Sequence, residues 1–209
     1  MEKEVTFGID IDEVIRALVP HMLALYNREF NDNMKLEDVK DYVVDNAFPK
    51  IMERTGESAS KWFFQDHGHE LFYGSEMIDG AKSAIDVLRE YGKVIIISYQ
   101  KSLENKIDTL NWLDRYGIKY DGVCFVKDKS IIHTDFLVDD NDWNFIGCNS
   151  KAGVLVTAPY NKDVDMSELK AKSNCEEIVR FGSLREFVSS YVSCHALVMA
   201  FSQIKGGTR

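Results

Sequence analysis

The sequence predicts an α/β protein: a parallel β-sheet with helices on both faces, and a small helical cap inserted directly after the first strand. Three observations predict it. From residue 81 onward, short apolar runs of strand length alternate with amphipathic helical stretches. The first strand-like run, Val5 to Ile9, is cut off from that alternation by a helical, aromatic-rich stretch over residues 17–79. Several of the apolar runs also end on polar residues able to do chemistry, at the strand ends where open α/β sheets hold their ligands.

The elements follow in order. Val5-Thr6-Phe7-Gly8-Ile9 reads as a strand that delivers Asp10-Ile11-Asp12 to the point where the backbone leaves it. Residues i and i+2 of an extended segment lie on one side, so both acids can converge on one ion or phosphate. Val14 to Phe30 reads as a helix through Ile15, Leu18, Met22, Leu25 and Tyr26, broken by Asn31-Asp32-Asn33. Leu36 to Val44 and Ala59 to Phe72 suggest two more short helices, and Asp79-Gly80 marks a turn. Ala81 to Tyr91 is an amphipathic helix closed by Gly92, placed where a left-handed backbone ends a helix.

Strand 93–98 then ends at Ser98, and helix 102–116 at Gly117. Strand 122–126 leads through a short turn carrying Lys129 to strand 135–139, which ends on Asp139-Asp140. Val154-Leu155-Val156 and Ile178 to Phe181 are two more apolar runs. The last helix begins at Ser183, where Ser183-x-x-Glu186 matches a capping box. This divides the chain into a core of residues 1–16 and 80–209 and a cap of residues 17–79.

Composition narrows the function. The 209 residues suffice for one domain with a modest insertion, and the 45% hydrophobic fraction with 3 prolines indicates a compact chain. A net charge of −9 argues against nucleic acid polymers and anionic membranes as partners. It permits a small anionic ligand, because a metal and a local lysine can reverse the field inside a cleft. Cys124, Cys148, Cys175 and Cys194 show no Cys-x-x-Cys spacing and read as reduced, mostly buried thiols. The first residues lack the pattern of a signal peptide, and Val192 to Phe201 is too short and too interrupted to span a membrane, so a cytoplasmic location is expected.

The chemistry rests on four strand ends carrying, in order, an acid pair, a hydroxyl, an ammonium and a second acid pair. Two like charges ~4 Å apart repel by about 4 kcal/mol at an effective dielectric near 20. Asp10, Asp12, Asp139 and Asp140 together with a phosphate ester therefore require a cation. Hard oxygen donors with open positions suit Mg²⁺, and Lys129 adds a second positive charge. One carboxylate can then attack phosphorus while the other moves the proton. Taken singly the motifs say less: Asp is a common helix N-cap, and Asp139-Asp140-Asn141-Asp142 could be a solvated loop.

The ordered set Phe7-Gly8-Ile9-Asp10-Ile11-Asp12, Ile95-Ile96-Ile97-Ser98, Lys129 and Phe136-Leu137-Val138-Asp139-Asp140 resembles the four motifs of the haloacid dehalogenase superfamily, with its Rossmann-like fold. Val126-Lys127-Asp128-Lys129-Ser130, followed by Asp135 to Asp140, is similar to the 5′(3′)-deoxyribonucleotidases, the cytosolic type C group. The resemblance runs from about Val5 to Asn141. It implies a Mg²⁺-dependent phosphomonoesterase with Asp10 as nucleophile and metal ligand. Asp12 would be the acid–base, holding the metal through its carbonyl. Ser98 and Lys129 would bind phosphate, and Asp139 with Asp140 would complete the metal site. The chain departs from the family pattern at Glu13, where Gly is usual, at Ala17-Leu18, where an Asp-Phe pair is frequent, and at Tyr99, where a second hydroxyl is common.

The implied substrate is a 5′- or 3′-(deoxy)nucleoside monophosphate, with another small phosphate ester such as a sugar phosphate as the alternative. A catalytically dead phosphate-binding protein on the same fold is the second alternative. A signalling receiver domain places its phosphorylated acid before the hydroxyl, whereas here the second acid pair follows both Ser98 and Lys129. Candidate substrate contacts are Tyr99, Lys101, Arg16, Trp62 and Phe64, with Arg16 equally readable as a surface salt bridge. Most of the cap aromatics (Tyr42, Phe48, Trp62, Phe63, Phe64, Phe72 and Tyr73) are expected to form the cap's own core, with one or two facing substrate. His67-x-His69, with no third ligand at a recognisable spacing, reads as a polar loop or helix end. The apolar C-terminal helix either covers a sheet face or forms a homodimer contact.

Overall fold

A computed structural model describes residues 4–194. Its strands are β1 (Val5–Ile9), β2 (Gly92–Ser98), β3 (Gly122–Phe125), β4 (Phe136–Asp139), β5 (Ala152–Val156) and β6 (Glu177–Phe181). They form one parallel sheet in the order β3-β2-β1-β4-β5-β6. β1 is therefore interior, with Val5 opposite Gly92 on one side and Phe7 opposite Phe136 on the other. The period of two decides which side chains meet which face. Phe7, Ile9, Val94, Ile96, Val138 and Val154 pack on one side, while Ile97, Leu137 and Leu155 pack on the other.

The helices are α1 (Leu18–Phe30), α2 (Val44–Ala47), α3 (Pro49–Thr55), α4 (Ala59–Lys61), α5 (Gly68–Gly74), α6 (Ala81–Tyr91), α7 (Leu103–Arg115), α8 (Met166–Lys172) and α9 over 184–194. On the first sheet face, α6 contributes Ile85 and Leu88, α7 Trp112 and Leu113, and α9 Leu184, Phe187 and Val188. On the other face, α8 contributes Leu169 beside Phe145, Cys148 and Cys175. Helices thus cover both faces. Ser183 Oγ accepts the Glu186 N–H (3.2 Å), and the Glu186 carboxylate accepts the Gly182 N–H (2.8 Å), one residue earlier than a strict capping box. The apolar residues expected to extend this helix beyond 194 lie outside the described residues. No helix among the described residues is long and apolar enough to cross a membrane.

Residues 18–74 build a separate hydrophobic cluster from Met22, Tyr26, Phe48, Ile51, Phe63, Leu71 and Phe72, among others. A π-helical turn, Trp62–Asp66, joins α4 to α5. Within this region, the expected helix over 36–44 is absent. A 3-10 turn, Leu36–Asp38, stands in its place, and Asp41 accepts the Val43 N–H (2.8 Å) and the Asn46 amide (2.8 Å) before the short α2.

Two further expectations are corrected. The first long helix begins at Leu18, not Val14. Residues 11–17 instead make tight turns in which Ile11 O accepts the N–H groups of Ile15 and Arg16, both at 2.8 Å. Val14 and Ile15 are apolar because they enter the sheet core. Gly92 does not end its helix in a left-handed conformation; its φ of 174° is extended. A Cβ there would lie 2.1 Å from Val5 O, so glycine permits β2 to close on β1. Of the four thiols, Cys148 and Cys175 are buried with sulfurs 2.8 Å apart, Cys124 is half-buried and Cys194 exposed.

Candidate active site

The strand ends form one buried charged cluster. Asp10 extends the β1–β4 ladder by one bond, its N–H donating to Val138 O at 2.9 Å. Lys129, in the turn after β3, reaches across to Asp10 (2.9 Å) and to Asp139 at the end of β4 (2.6 Å). Asp139 is fully buried and also accepts the Asn141 N–H (2.9 Å) and the Asn144 side-chain amide (3.0 Å). Asp140 receives the Tyr160 hydroxyl, and its carbonyl accepts the Asn161 amide at 2.7 Å. Carboxylate oxygens of Asp10, Asp139 and Asp140 all lie within 4.8 Å of one another.

Asp12 is held separately. Its Oδ1 accepts Arg16 Nε (2.7 Å), and its Oδ2 accepts Gln100 Nε2 (3.2 Å). The same Gln100 amide lies 3.5 Å from Ser98 Oγ, so it links the end of β2 to the second acid of the first motif. Ser98 is 1% exposed.

The electrostatics show a cluster short of positive charge. Burial, only partly offset by Lys129, pushes the Asp10 carboxyl up to about 7, with Asp139 and Asp12 adding to the rise. Burial and the charges of Asp139 and Asp10 push Asp140 well above the usual carboxylate range. Burial alone would lower the Lys129 pKa, but Asp10 and Asp139 outweigh it and raise it. One ammonium therefore faces three close carboxylates. The donor set is hard oxygen in a dry pocket, which is the chemistry that fits Mg²⁺.

A family model described as 5′ nucleotidase, deoxy (pyrimidine), cytosolic type C protein matches residues 3–182. The chain belongs to this family. As a member it is a phosphomonoester hydrolase, which accounts for an acid-rich site built around a single lysine. A 5′(3′)-deoxyribonucleotidase of Clostridium acetobutylicum is 25% identical over 187 residues, covering 84% of this chain and 97% of that protein. Among solved structures, a haloacid dehalogenase-like hydrolase of Streptococcus pneumoniae matches with a TM-score of 0.60 at 9% identity, over 91% of this chain and 100% of that one. A haloacid dehalogenase hydrolase of Bacillus subtilis, solved bound to magnesium, matches with a TM-score of 0.53 at 13% identity, over 89% and 97%. These likenesses identify the fold as that of the haloacid dehalogenases.

Within this family member, the glycine position of the first motif explains itself. Glu13 has φ of 56°, the left-handed region that glycine occupies without strain. Its carboxylate accepts the Val19 N–H (2.7 Å) at the start of α1. Burial, against the pull of that N–H, pushes Glu13 up to about 7.

The remaining expected contacts scatter. Arg16 is not at the surface: it is fully buried, and its Nε and Nη2 are each 2.7 Å from Asp12 Oδ1. Trp62 is 8% exposed and packs on Phe30, Phe63 and His67, so its ring belongs to the hydrophobic cluster of residues 18–74. Phe64 is half-buried against Phe72, and its carbonyl accepts the Asn105 amide (2.9 Å). Tyr99 is 49% exposed and Lys101 is exposed, both on the loop after Ser98. His69 pairs with Asp108 (2.9 Å), and His67 packs on Trp62.

Sequence reasoning did not single out Gln100, Asn144, Tyr160 or Asn161. Asn144 had a local signal, since it follows the second acid pair by a few residues. Tyr160 and Asn161 follow β5, the neighbour of β4, and only the strand order reveals that they reach the site. Tyr42, two residues before α2, meets Tyr160 edge-on at 5.5 Å. Desolvation of its hydroxyl, followed by the charges of Asp140, Asp10 and Asp139, raises its pKa.

Proposed function

We propose that this chain is a Mg²⁺-dependent phosphatase that hydrolyses 5′- or 3′-(deoxy)nucleoside monophosphates through an aspartyl-phosphate on Asp10. One observation carries the reading: Lys129 bridges Asp10 and Asp139, with Asp140 close by, in a buried pocket short of positive charge. Asp10, Asp139 and Asp140 would hold Mg²⁺ with the carbonyl of Asp12. The ion would neutralise the incoming phosphate and lower the charge on its oxygens.

The protein's own groups supply the rest. Asp10 attacks phosphorus as the ester P–O bond breaks, and the carboxylic acid of Asp12 gives its proton to the leaving oxygen. Asp12, now a carboxylate, then takes a proton from the water that cleaves the acyl phosphate, which restores both acids. Ser98 and Lys129 hold the phosphoryl oxygens, and the Lys129 charge follows the negative charge that moves onto them. Residues 17–79 act as the cap that excludes water. Tyr42 is the cap ring assigned to the nucleoside: it is 52% exposed and meets Tyr160, whose hydroxyl donates to Asp140. The name of the Clostridium acetobutylicum relative supports nucleotides as substrates, and the magnesium-bound Bacillus subtilis structure supports the metal.

The test is phosphate release from a panel of nucleoside and sugar monophosphates, with Mg²⁺ and with chelator. The expected result is turnover of nucleoside monophosphates that chelation abolishes. A sugar phosphate preferred over every nucleotide, or full activity in chelator, overturns the proposal.

A further inference from the structure

Arg16 ranks among the largest fully buried side chains of the molecule, and its contacts have a direction. Nε donates to Asp12 Oδ1 at 2.7 Å, while Nη2 lies at ion-pair distance from the same oxygen (2.7 Å) without making a hydrogen bond. Nη1 donates to Phe72 O (2.8 Å) on α5 and to Thr109 Oγ1 (3.2 Å) on α7. The guanidinium plane lies against the rings of Phe72 (5.0 Å) and Trp112 (5.3 Å). One side chain therefore touches the acid–base carboxylate, the last helix of residues 18–74, and a helix packed on the sheet.

The backbone of Arg16 sits at the crossing between these regions. It bridges to Met77 on the returning strand of chain, and the adjacent Ala17 N–H donates to Glu76 O at 2.9 Å. Carrying a guanidinium wholly out of water is unfavourable unless it has well-placed acceptors, and an apolar side chain could fill the same space. Asp12 Oδ1 is held by the Arg16 guanidinium. Oδ2 accepts an amide bond from Gln100, on the loop that follows Ser98. The same amide lies 3.5 Å from Ser98 Oγ, so Oδ2 is the oxygen linked to the residue assigned to phosphate.

We infer that Arg16 is a positioning residue: it fixes the Asp12 carboxyl so that Oδ2 carries the proton to the leaving oxygen, and it ties that placement to the seating of α5. This deepens the proposed function and rests on its assignment of Asp12 as the acid–base. A misplaced acid harms esters whose leaving alkoxide must be protonated. It matters little for p-nitrophenyl phosphate, whose phenolate leaves without help.

The experiment measures kcat and KM of wild type, Arg16→Met, Arg16→Lys and Asp12→Asn on a nucleoside 5′-monophosphate and on p-nitrophenyl phosphate, at saturating Mg²⁺. General acid catalysis contributes about 10²–10⁴-fold. In Arg16→Met, kcat on the nucleotide is expected to fall at least about 30-fold further than kcat on p-nitrophenyl phosphate, with KM changing little, and Arg16→Lys should fall between it and wild type. The rise in melting temperature on adding Mg²⁺ should match wild type, because the Arg16 side chain meets Asp12 through its carboxylate and not through the carbonyl assigned to the metal. Equal loss on both esters, or no loss on either, overturns the inference. If Arg16→Met does not fold, Arg16→Lys carries the same comparison. Wild type inactive on both esters, or Asp12→Asn indifferent to the leaving group, would instead strike the proposed function.

Discussion

Lys129→Met removes the ammonium that bridges Asp10 and Asp139, and the structure sets the size of the effect. The Lys129 side chain is 3% exposed, and its partners Asp10 and Asp139 are 11% and 0% exposed. Solvent can therefore do little to screen the charges left behind. Deleting one partner of a buried pair costs about 3–5 kcal/mol. In a chain of this length each kcal/mol shifts the melting temperature by about 2–4 °C, so metal-free Lys129→Met should melt roughly 6–20 °C lower than wild type at pH 8. The pH dependence follows from Asp10, whose carboxyl lies near 7 in the folded protein against 3.8 when free. A raised folded pKa gives stability that is complete below 3.8 and lost as pH rises through about 7. Without Lys129, which holds that value down, the loss deepens. The deficit of the variant should therefore be largest at pH 8 and shrink at pH 5. Thermal unfolding by circular dichroism in chelator, at both pH values, reads it directly. A deficit under about 2 °C at pH 8, or one of equal size at pH 5, would refute the picture of a cluster starved of positive charge.

Three further outcomes are expected. Asp10→Asn should lower turnover at least about 10³-fold while the metal-free protein melts no lower than wild type at pH 8, since one crowded carboxylate is gone; near-normal turnover would remove Asp10 as nucleophile. Glu13→Gly relieves a left-handed backbone costing roughly 1–2 kcal/mol and removes a buried acid whose pKa is raised to about 7. Its melting temperature relative to wild type should therefore improve from pH 5 to pH 8, and a flat difference would show that Glu13 is not buried in this way. Tyr42→Ala should raise KM for nucleotides several-fold, by about 1 kcal/mol of lost ring contact, and leave KM for p-nitrophenyl phosphate nearly unchanged. Equal changes on both substrates would place the ring away from the nucleoside.

What was legible in the sequence was what the backbone makes local. Continuous apolar runs of strand length, such as Val94 to Ile97, and the polar residues next to them in sequence could be read because neighbours in the chain remain neighbours at a strand end. The turns between Asp10 and α1 were not legible. Val14 and Ile15 show helical spacing with Leu18, yet they pack into the sheet core while Leu18 packs with the other cluster. Arg16 read equally as a phosphate contact or a surface salt bridge because two of its acceptors, Phe72 and Thr109, lie far along the chain. Gln100 stands two residues past Ser98 without marking itself off from Tyr99 and Lys101, and Tyr160 has no local mark at all. Their importance comes from which strands adjoin, and a sheet whose order is not its sequence order hides that from a linear reading.

The interior position of β1 also bears on how the chain emerges during synthesis. Val5–Ile9 finds its first partner only when Gly92–Ile96 leaves the ribosome, and its second only with Phe136–Val138. At about 5–20 residues per second, that unpaired ribbon waits several seconds or more. Residues 18–74 meanwhile can bury their own apolar side chains. Asp10, at the end of this strand, therefore gains neighbours on both sides only after Phe136–Val138 has been made.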